Sequence, residues 1–292
     1  MARKLALEIE ELRAAARARQ DRHHHMPRVD WPADARMAVN FTADFDAMLV
    51  RRLHDETPMQ RAKGEFGGRV GAWRLLELFD RHGIGTTFFT PGRIVELFPT
   101  VLRQIAERGH ELADHMWEHR IPADPRVERD HMQRTRDALA SLTGKLPVGT
   151  RSRHSQSALI ELGYIYNSIG FAAPLPYKLK STHGDLLNLP FHFALDDAMY
   201  FNFGWFESAG PAQRLSDPER VMEIWWQAFR QQYDEGGYLN ICLHPFVSGH
   251  AARIEMLDAL IVRMKGLPNV WFPTCEAVAR HCIAAFPSDD VG

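Results

Sequence analysis

The chain has 292 residues, a formal net charge of −2 at pH 7, 45% hydrophobic residues and 25% charged residues. That is the balance of a soluble globular protein with room for a large core, and an α/β barrel of this length is routinely one domain. Without a basic field, neither nucleic acid nor an anionic membrane is expected as a partner. The three cysteines, Cys242, Cys275 and Cys282, have no CxxC spacing. They therefore suggest neither a disulfide framework nor a thiolate zinc site, and they fit a reducing compartment.

The N-terminal stretch MARKLALEIEELRAAARARQ has acidic residues inside its apolar periodicity. It reads as no secretory signal, no other stretch is long enough to span a bilayer, and a cytoplasmic location is expected. Leu5, Ile9, Leu12 and Ala16 at helical spacing predict a helix over 3–20, packed on the body or on a neighbouring subunit. A polar linker with His23, His24 and His25 follows, up to Pro27 and Pro32. The expected division is a helix and linker over 1–35 and a barrel over 36–292.

From there strands and helices alternate. Strands are expected in 37–46, 85–92, 110–115, 148–153, 164–170, 186–193, 238–245 and 269–274. Helices are expected over 71–83, 94–109, 127–144, 217–235 and 251–265, the first and second closed by Gly83 and Gly109. Alternation of this kind argues for βαβ units around a parallel sheet, closed or nearly closed into a barrel, whose chemistry sits at the C-terminal ends of the strands. The segments 47–68 and 172–186 read as loops long enough to cover a barrel mouth.

Several strands end in charged groups that a buried strand would not otherwise carry. The first runs into Asp44 and Asp46, the third into His115 with His119 four residues on, the fourth into Arg151 and Arg153, and a late apolar strand into His244-Pro245. Two imidazoles at i and i+4 can face one cation, and one carboxylate completes a set that leaves positions open for water and substrate. On spacing alone, a solvated pair in a chain of 15 histidines is the stronger reading. The aspartates could equally cap a strand end. Position 114 is Asp, so HEL at 110–112 does not begin a zincin HExxH helix.

A resemblance decides between these readings. The strings FTADFDA, VGAWRLLELFDRHGIGTTFFTPG, GHELADHMWEH, LPFHFALDD and CLHPFVSGH occur in that order between about Met37 and Ala279. Together they resemble the polysaccharide deacetylase superfamily, also called NodB-homology or carbohydrate esterase family four. The similarity is closest to the intracellular branch of peptidoglycan deacetylase-like, allantoinase-like and cyclic imide hydrolase-like enzymes. The resemblance implies a distorted (β/α)7 barrel, here with an N-terminal helical extension, and hydrolysis with a divalent metal, usually zinc, with cobalt or manganese as alternatives. It puts Asp46, His115 and His119 in the metal positions, Asp44 in that of the general base and His244 in that of the general acid. Asp196 and Asp197 match its Leu-Asp-Asp segment.

Two departures bear on the pocket. The family's Arg-x-Pro segment stands here as Arg151-Ser152-Arg153, where Arg151 is expected to orient Asp44 and Arg153 offers a second cation or a mere surface residue. The Trp expected before Leu-Asp-Asp is replaced in the FHFA stretch, so His192 and Phe193 become candidate pocket walls beside Asp196. The expected substrate is a small amide, imide or ureide, with an acetylated glycan such as peptidoglycan as the alternative, and the expected assembly is a dimer or tetramer of this chain. A non-haem iron oxygenase uses the same ligand types, but commonly on a jelly roll with a His-x-Asp pair. A barrel kept only for assembly would be expected to have lost a ligand or the acid and base, and none is lost here.

Overall fold

The computed structural model describes residues 29–53, 57–201 and 216–285, together with Ile9. The predicted helix over 3–20 and the His23–His25 run lie outside the described residues. Each expected strand contains an observed one: β1 (Met37–Asp44), β2 (Thr86–Thr90), β3 (Glu111–Asp114), β4 (Gly149–Thr150), β5 (Tyr166–Asn167), β7 (Leu186–Asn188), β8 (Tyr238–Leu243) and β9 (Val270–Trp271). The short β6 (Tyr177–Leu179) lies in the segment read as a loop and pairs antiparallel with β7. All other ladders are parallel, in the order β6-β7-β5-β4-β3-β2-β1-β8, with β9 also on β1.

The ladder does not run unbroken round a barrel. Beyond β7 the chain returns to β8 through one isolated parallel bridge, Asp196 to Cys242, where Asp197 N–H donates to the Cys242 carbonyl at 3.1 Å.

Strand periodicity separates the two faces of β1. Met37, Val39 and Phe41 pack outward against Leu75 and Phe79 of helix Ala72–His82 and Leu257, Leu260 and Ile261 of helix Ala251–Lys265. Phe41 and Phe79 are fully buried, each worth roughly 1.5–3 kcal/mol relative to exposure. The alternate residues Ala38, Asn40, Thr42 and Asp44 fall on the other face. There Asn40 Oδ1 accepts from the Tyr238 hydroxyl at 2.5 Å and Thr42 Oγ1 from Arg151 Nη2 at 3.1 Å. This face of β1 therefore turns polar from Asn40 to Asp44, while Ala38 packs in an apolar cluster with Phe89, Tyr166 and Leu187, and the D-x-D spacing keeps Asp46 on the same side as Asp44.

Two of the long helices share one start and stop signal. Asp124 and Asp217 cap Pro125–Thr143 and Pro218–Glu235 by accepting from N–H groups two residues on, at 2.8 and 2.9 Å. Proline at the first helical position leaves no extra donor unsatisfied. The same helices end at Gly144 (φ 70°) and Gly236 (φ 74°), a left-handed conformation in which glycine avoids a Cβ clash.

The helix expected over 94–109 is broken into Ile94–Leu97 and Pro99–Glu107, because Pro99 drives Phe98 out of the helical region to φ −135°, ψ 52°. The expected loop over 47–68 is instead largely helical, with Leu49–Leu53, Pro58–Phe66 and then a π-helical turn at Gly67–Gly71. No described helix is long and apolar enough to cross a membrane.

Near the N-terminal end of the sheet, buried Glu111 accepts from Tyr166 Oη and Thr87 Oγ1, both at 2.7 Å, and from Glu276 N at 2.8 Å. Burial nevertheless outweighs these donors and pushes its carboxyl up from 4.5 to about 7. A folded-state pKa above the unfolded one means the folded chain binds the extra proton. That stability is fully present below about pH 4.5 and is lost as pH rises through about 7. Between pH 5 and 8 the wild type should lose more unfolding free energy than Glu111→Gln, by on the order of 2–3 kcal/mol. Urea denaturation at the two pH values checks this, and parallel pH dependence in both proteins would contradict it.

Candidate active site

Asp44 closes β1, and three residues later, just past Asp46, the chain turns at Ala47 in a left-handed conformation (φ 47°). His115 follows β3, and the loop to His119 carries two more non-glycine residues at positive φ, Met116 (69°) and His119 itself (58°). Each costs roughly 1–2 kcal/mol, so the surrounding structure must impose this backbone.

His115 Nδ1 lies 2.6 Å from the Arg151 carbonyl oxygen, which can only accept, so this nitrogen carries the proton. Nε2 is thereby turned toward the carboxylates, 3.4 Å from Asp46 Oδ1 and 3.7 Å from Asp44 Oδ2. His119 Nε2 stands 3.8 Å from the same Asp46 oxygen. Asp46 Oδ1 and His115 Nε2 are buried and have no hydrogen-bond partner among the described residues.

Two such atoms facing each other without a bond are costly unless something else satisfies them. Their separations exceed hydrogen bonds and resemble the roughly 3.3 Å edge of a tetrahedron of ligands 2.0–2.1 Å from a shared ion. Burial also lowers the His115 pKa, against the pull of Asp44 and Asp46, and so favours the neutral, metal-ligating imidazole. Asp46, His115 and His119 therefore fit a divalent metal, with one donor atom from each lying within 4.8 Å of the others.

Arg151, just past β4, is almost fully buried and holds Asp44. Its Nη1 is 2.6 Å from Asp44 Oδ1, Nη2 is 3.1 Å from Thr42 Oγ1 and from Ser168 Oγ, and Nε donates to the Ser168 carbonyl at 3.0 Å. The guanidinium also packs over Phe89 and Phe191, at 4.2 and 4.7 Å from the ring centroids. Burial raises the Asp44 pKa, but Arg151, and behind it His244, bring it below the ordinary value, so Asp44 is ionised.

His244, at the end of β8, is anchored through Asp197. The Asp197 carboxylate receives His244 Nδ1 at 2.7 Å, the His244 backbone N–H at 2.8 Å and Ser248 Oγ at 2.5 Å. Burial pushes the imidazole down, but Asp197, Asp196 and Asp44 outweigh it and raise the pKa to about 10, so the ring stays protonated. Asp196 lies 3.7 Å from the same nitrogen and caps Ala198 N at 2.8 Å. Burial and Asp197 push its carboxyl up to about 6, with His244 opposing.

The structure thus gathers Asp44, Asp46, His115, His119, Arg151, Asp196 and His244 at one end of the sheet. Arg153, two residues past buried Arg151, is exposed. His192 and Phe193 are exposed as well, in edge-on aromatic contact with Phe171 at 5.4 and 5.8 Å. Phe193 also meets Phe191 at 5.8 Å, which links this aromatic group to the ring beneath Arg151. Sequence reading missed Thr42, Ser168 and Ser248 as supports. Ser248 had a legible signal, since it stands one helical turn after His244.

A polysaccharide deacetylase family model matches residues 65–169, a span that holds His115, His119 and Arg151. A peptidoglycan deacetylase-like protein of Gibberella zeae is 32% identical, with 85% of this chain and 87% of that protein aligned. The chain belongs to the polysaccharide deacetylase family. A peptidoglycan deacetylase of Helicobacter pylori is 24% identical over 85% of this chain and 97% of its own length. Among solved structures, a Mycobacterium smegmatis protein assigned by name to the polysaccharide deacetylases superposes with a TM-score of 0.82 at 29% identity, covering 91% of this chain and 98% of that one. An allantoinase superposes with a TM-score of 0.80 at 25% identity, covering 91% and 96%. The fold is thus the NodB-like deacetylase fold, and membership implies a hydrolase acting on C–N bonds.

Proposed function

We propose that this family member hydrolyses a C–N bond in a small amide, imide or ureide with a divalent metal held by Asp46, His115 and His119. The observation that carries the reading is the pair of buried, unpartnered atoms, Asp46 Oδ1 and His115 Nε2, beside an ionised Asp44 and a protonated His244. When bound, an ion in such a donor set, most often zinc, polarises a carbonyl and lowers the pKa of water.

Asp44 accepts the proton of the attacking water on its carboxylate, which Arg151 keeps oriented and ionised. His244 gives a proton to the leaving nitrogen, while Asp197 fixes the ring from Nδ1 and leaves Nε2 on the side turned from it. Asp196, Phe193, His192 and Arg153 line the approach and contact the rest of the substrate.

Burial supports the small substrate. The side chains of Asp44, Asp46, His115, Asp196 and His244 are 2–9% exposed, whereas His119 is 33% exposed. A largely buried centre, in which His119 is the more exposed member, suits a compact, planar group better than the middle of a long glycan. The allantoinase among the structural neighbours points the same way. The curated relatives named as peptidoglycan deacetylases favour a second reading, removal of acetyl groups from N-acetylglucosamine.

The two readings separate on kcat/KM, measured for a cyclic imide, a ureide and an aryl amide against an N-acetylglucosamine oligomer. The small-molecule reading predicts at least about a tenfold preference for one of the compact substrates, or roughly 1.4 kcal/mol in transition-state binding. A clear preference for the oligomer would replace it with the deacetylase reading.

A further inference from the structure

The loop from His115 to His119 holds its strained backbone through contacts remote from the reacting centre. Gly92 N–H donates to the Met116 carbonyl at 2.9 Å and Arg93 N–H to the Trp117 carbonyl at 3.0 Å, which fixes the loop to the turn after β2. Trp117 is buried and packs against two guanidinium groups, with Arg93 Cζ 4.8 Å and Arg134 Cζ 4.3 Å from its ring centroid. It fills the space over Gly92, where a Cβ would lie 2.5 Å from the indole.

Glu118 joins the two segments that carry the ligand set. Its Oε1 receives Arg93 Nε at 2.8 Å and Nη2 at 2.7 Å, and its Oε2 receives Arg52 at 2.8 Å. Arg93 is itself steadied through Nη1 by Glu96 at 2.8 Å. Arg52 belongs to the helix Leu49–Leu53, whose first N–H donates to the Asp46 carbonyl at 3.0 Å. One carboxylate, next in sequence to His119, thus bridges the Asp46 segment and the His115–His119 loop.

We propose that Arg52, Arg93 and Glu118, with Trp117, are positioning residues that preorganise the Asp46–His115–His119 set for its metal, a role that rests on the metal-dependent reading above. A partly exposed ion pair contributes little to global stability. The clamp therefore acts mainly on the relative placement of ligands, as supporting contacts around metal sites do. Arg93 is not replaceable by lysine, which cannot reach Glu118 with two nitrogens while lying flat on Trp117.

The test titrates the full-length, metal-free protein with cobalt(II), following the visible d–d absorption and competing with a chromogenic chelator. Glu118→Gln and Arg93→Met should weaken the cobalt dissociation constant about 10- to 100-fold and alter the d–d spectrum. Meanwhile the melting temperature of the metal-free protein should stay near that of wild type. Arg69→Met, which removes the exposed 3.6 Å pair with Glu65, should change neither. An unaltered dissociation constant in Glu118→Gln overturns the clamp even if Arg93→Met fails to fold, and leaves the metal reading standing. Failure of the wild type to bind cobalt overturns both.

Discussion

Asparagine at position 44 should leave the metal in place and lower kcat by about 10²–10⁴-fold, the range for a lost general base. Asp44 and Asn have nearly the same shape, and Arg151 Nη1, now 2.6 Å from Oδ1, still finds an acceptor in the amide oxygen. What disappears is the negative charge that Arg151 and His244 stabilise against burial. The variant carries a buried guanidinium without its counter-charge, so it should also melt earlier, and the assay belongs below that transition. The check is kcat at saturating metal beside metal content by elemental analysis. Retained activity would remove Asp44 from the base role.

Alanine at position 46 should act differently, with metal content and activity falling together. Asp46 Oδ1 is the shared corner of the set, 3.4 Å from His115 Nε2 and 3.8 Å from His119 Nε2. Without it two imidazoles remain, and a dication loses the only anionic member of the triad. The loss of rate should exceed that at position 44, because it removes the group that polarises the carbonyl as well as the water. Added zinc or cobalt in excess should restore only a fraction of it.

The strand-end positions of these residues were legible in the sequence, but their reading as a metal centre came from the resemblance, since spacing alone favoured a solvated pair of histidines. The period-2 pattern of β1 put Asp44 and Asp46 on one face, and the four-residue step from His115 to His119 survives as adjacent rings with centroids 4.8 Å apart. The long helices were legible as amphipathic stretches, although the first begins at Pro125, two residues before the expected 127.

What escaped depends on tertiary contact. Nothing local tells which member of the Asp196-Asp197 doublet reaches His244. The bridge to Cys242 turns Asp197 inward to take both His244 N–H groups and leaves Asp196 to cap the next turn. The helical character of 58–71 was hidden by Gly64, Gly67, Gly68 and Gly71, which lower helix propensity. Packing requires two of them: a Cβ on Gly64 would lie 2.5 Å from the Ala47 carbonyl oxygen, and one on Gly71 1.9 Å from that of Pro245. These glycines seat the turn after Asp46 and the segment after His244.

The most direct measurement is metal per chain and hydrolytic activity, taken together on wild type, chelated wild type, Asp44→Asn and Asp46→Ala. A site of one carboxylate and two imidazoles predicts about one transition-metal ion per chain in wild type and in Asp44→Asn, and far less in Asp46→Ala. Chelation should abolish wild-type activity, and zinc, cobalt or manganese should restore it. Full activity in the metal-free wild type, or equal metal loss in both aspartate variants, would contradict the assignment of Asp46, His115 and His119 as the metal centre.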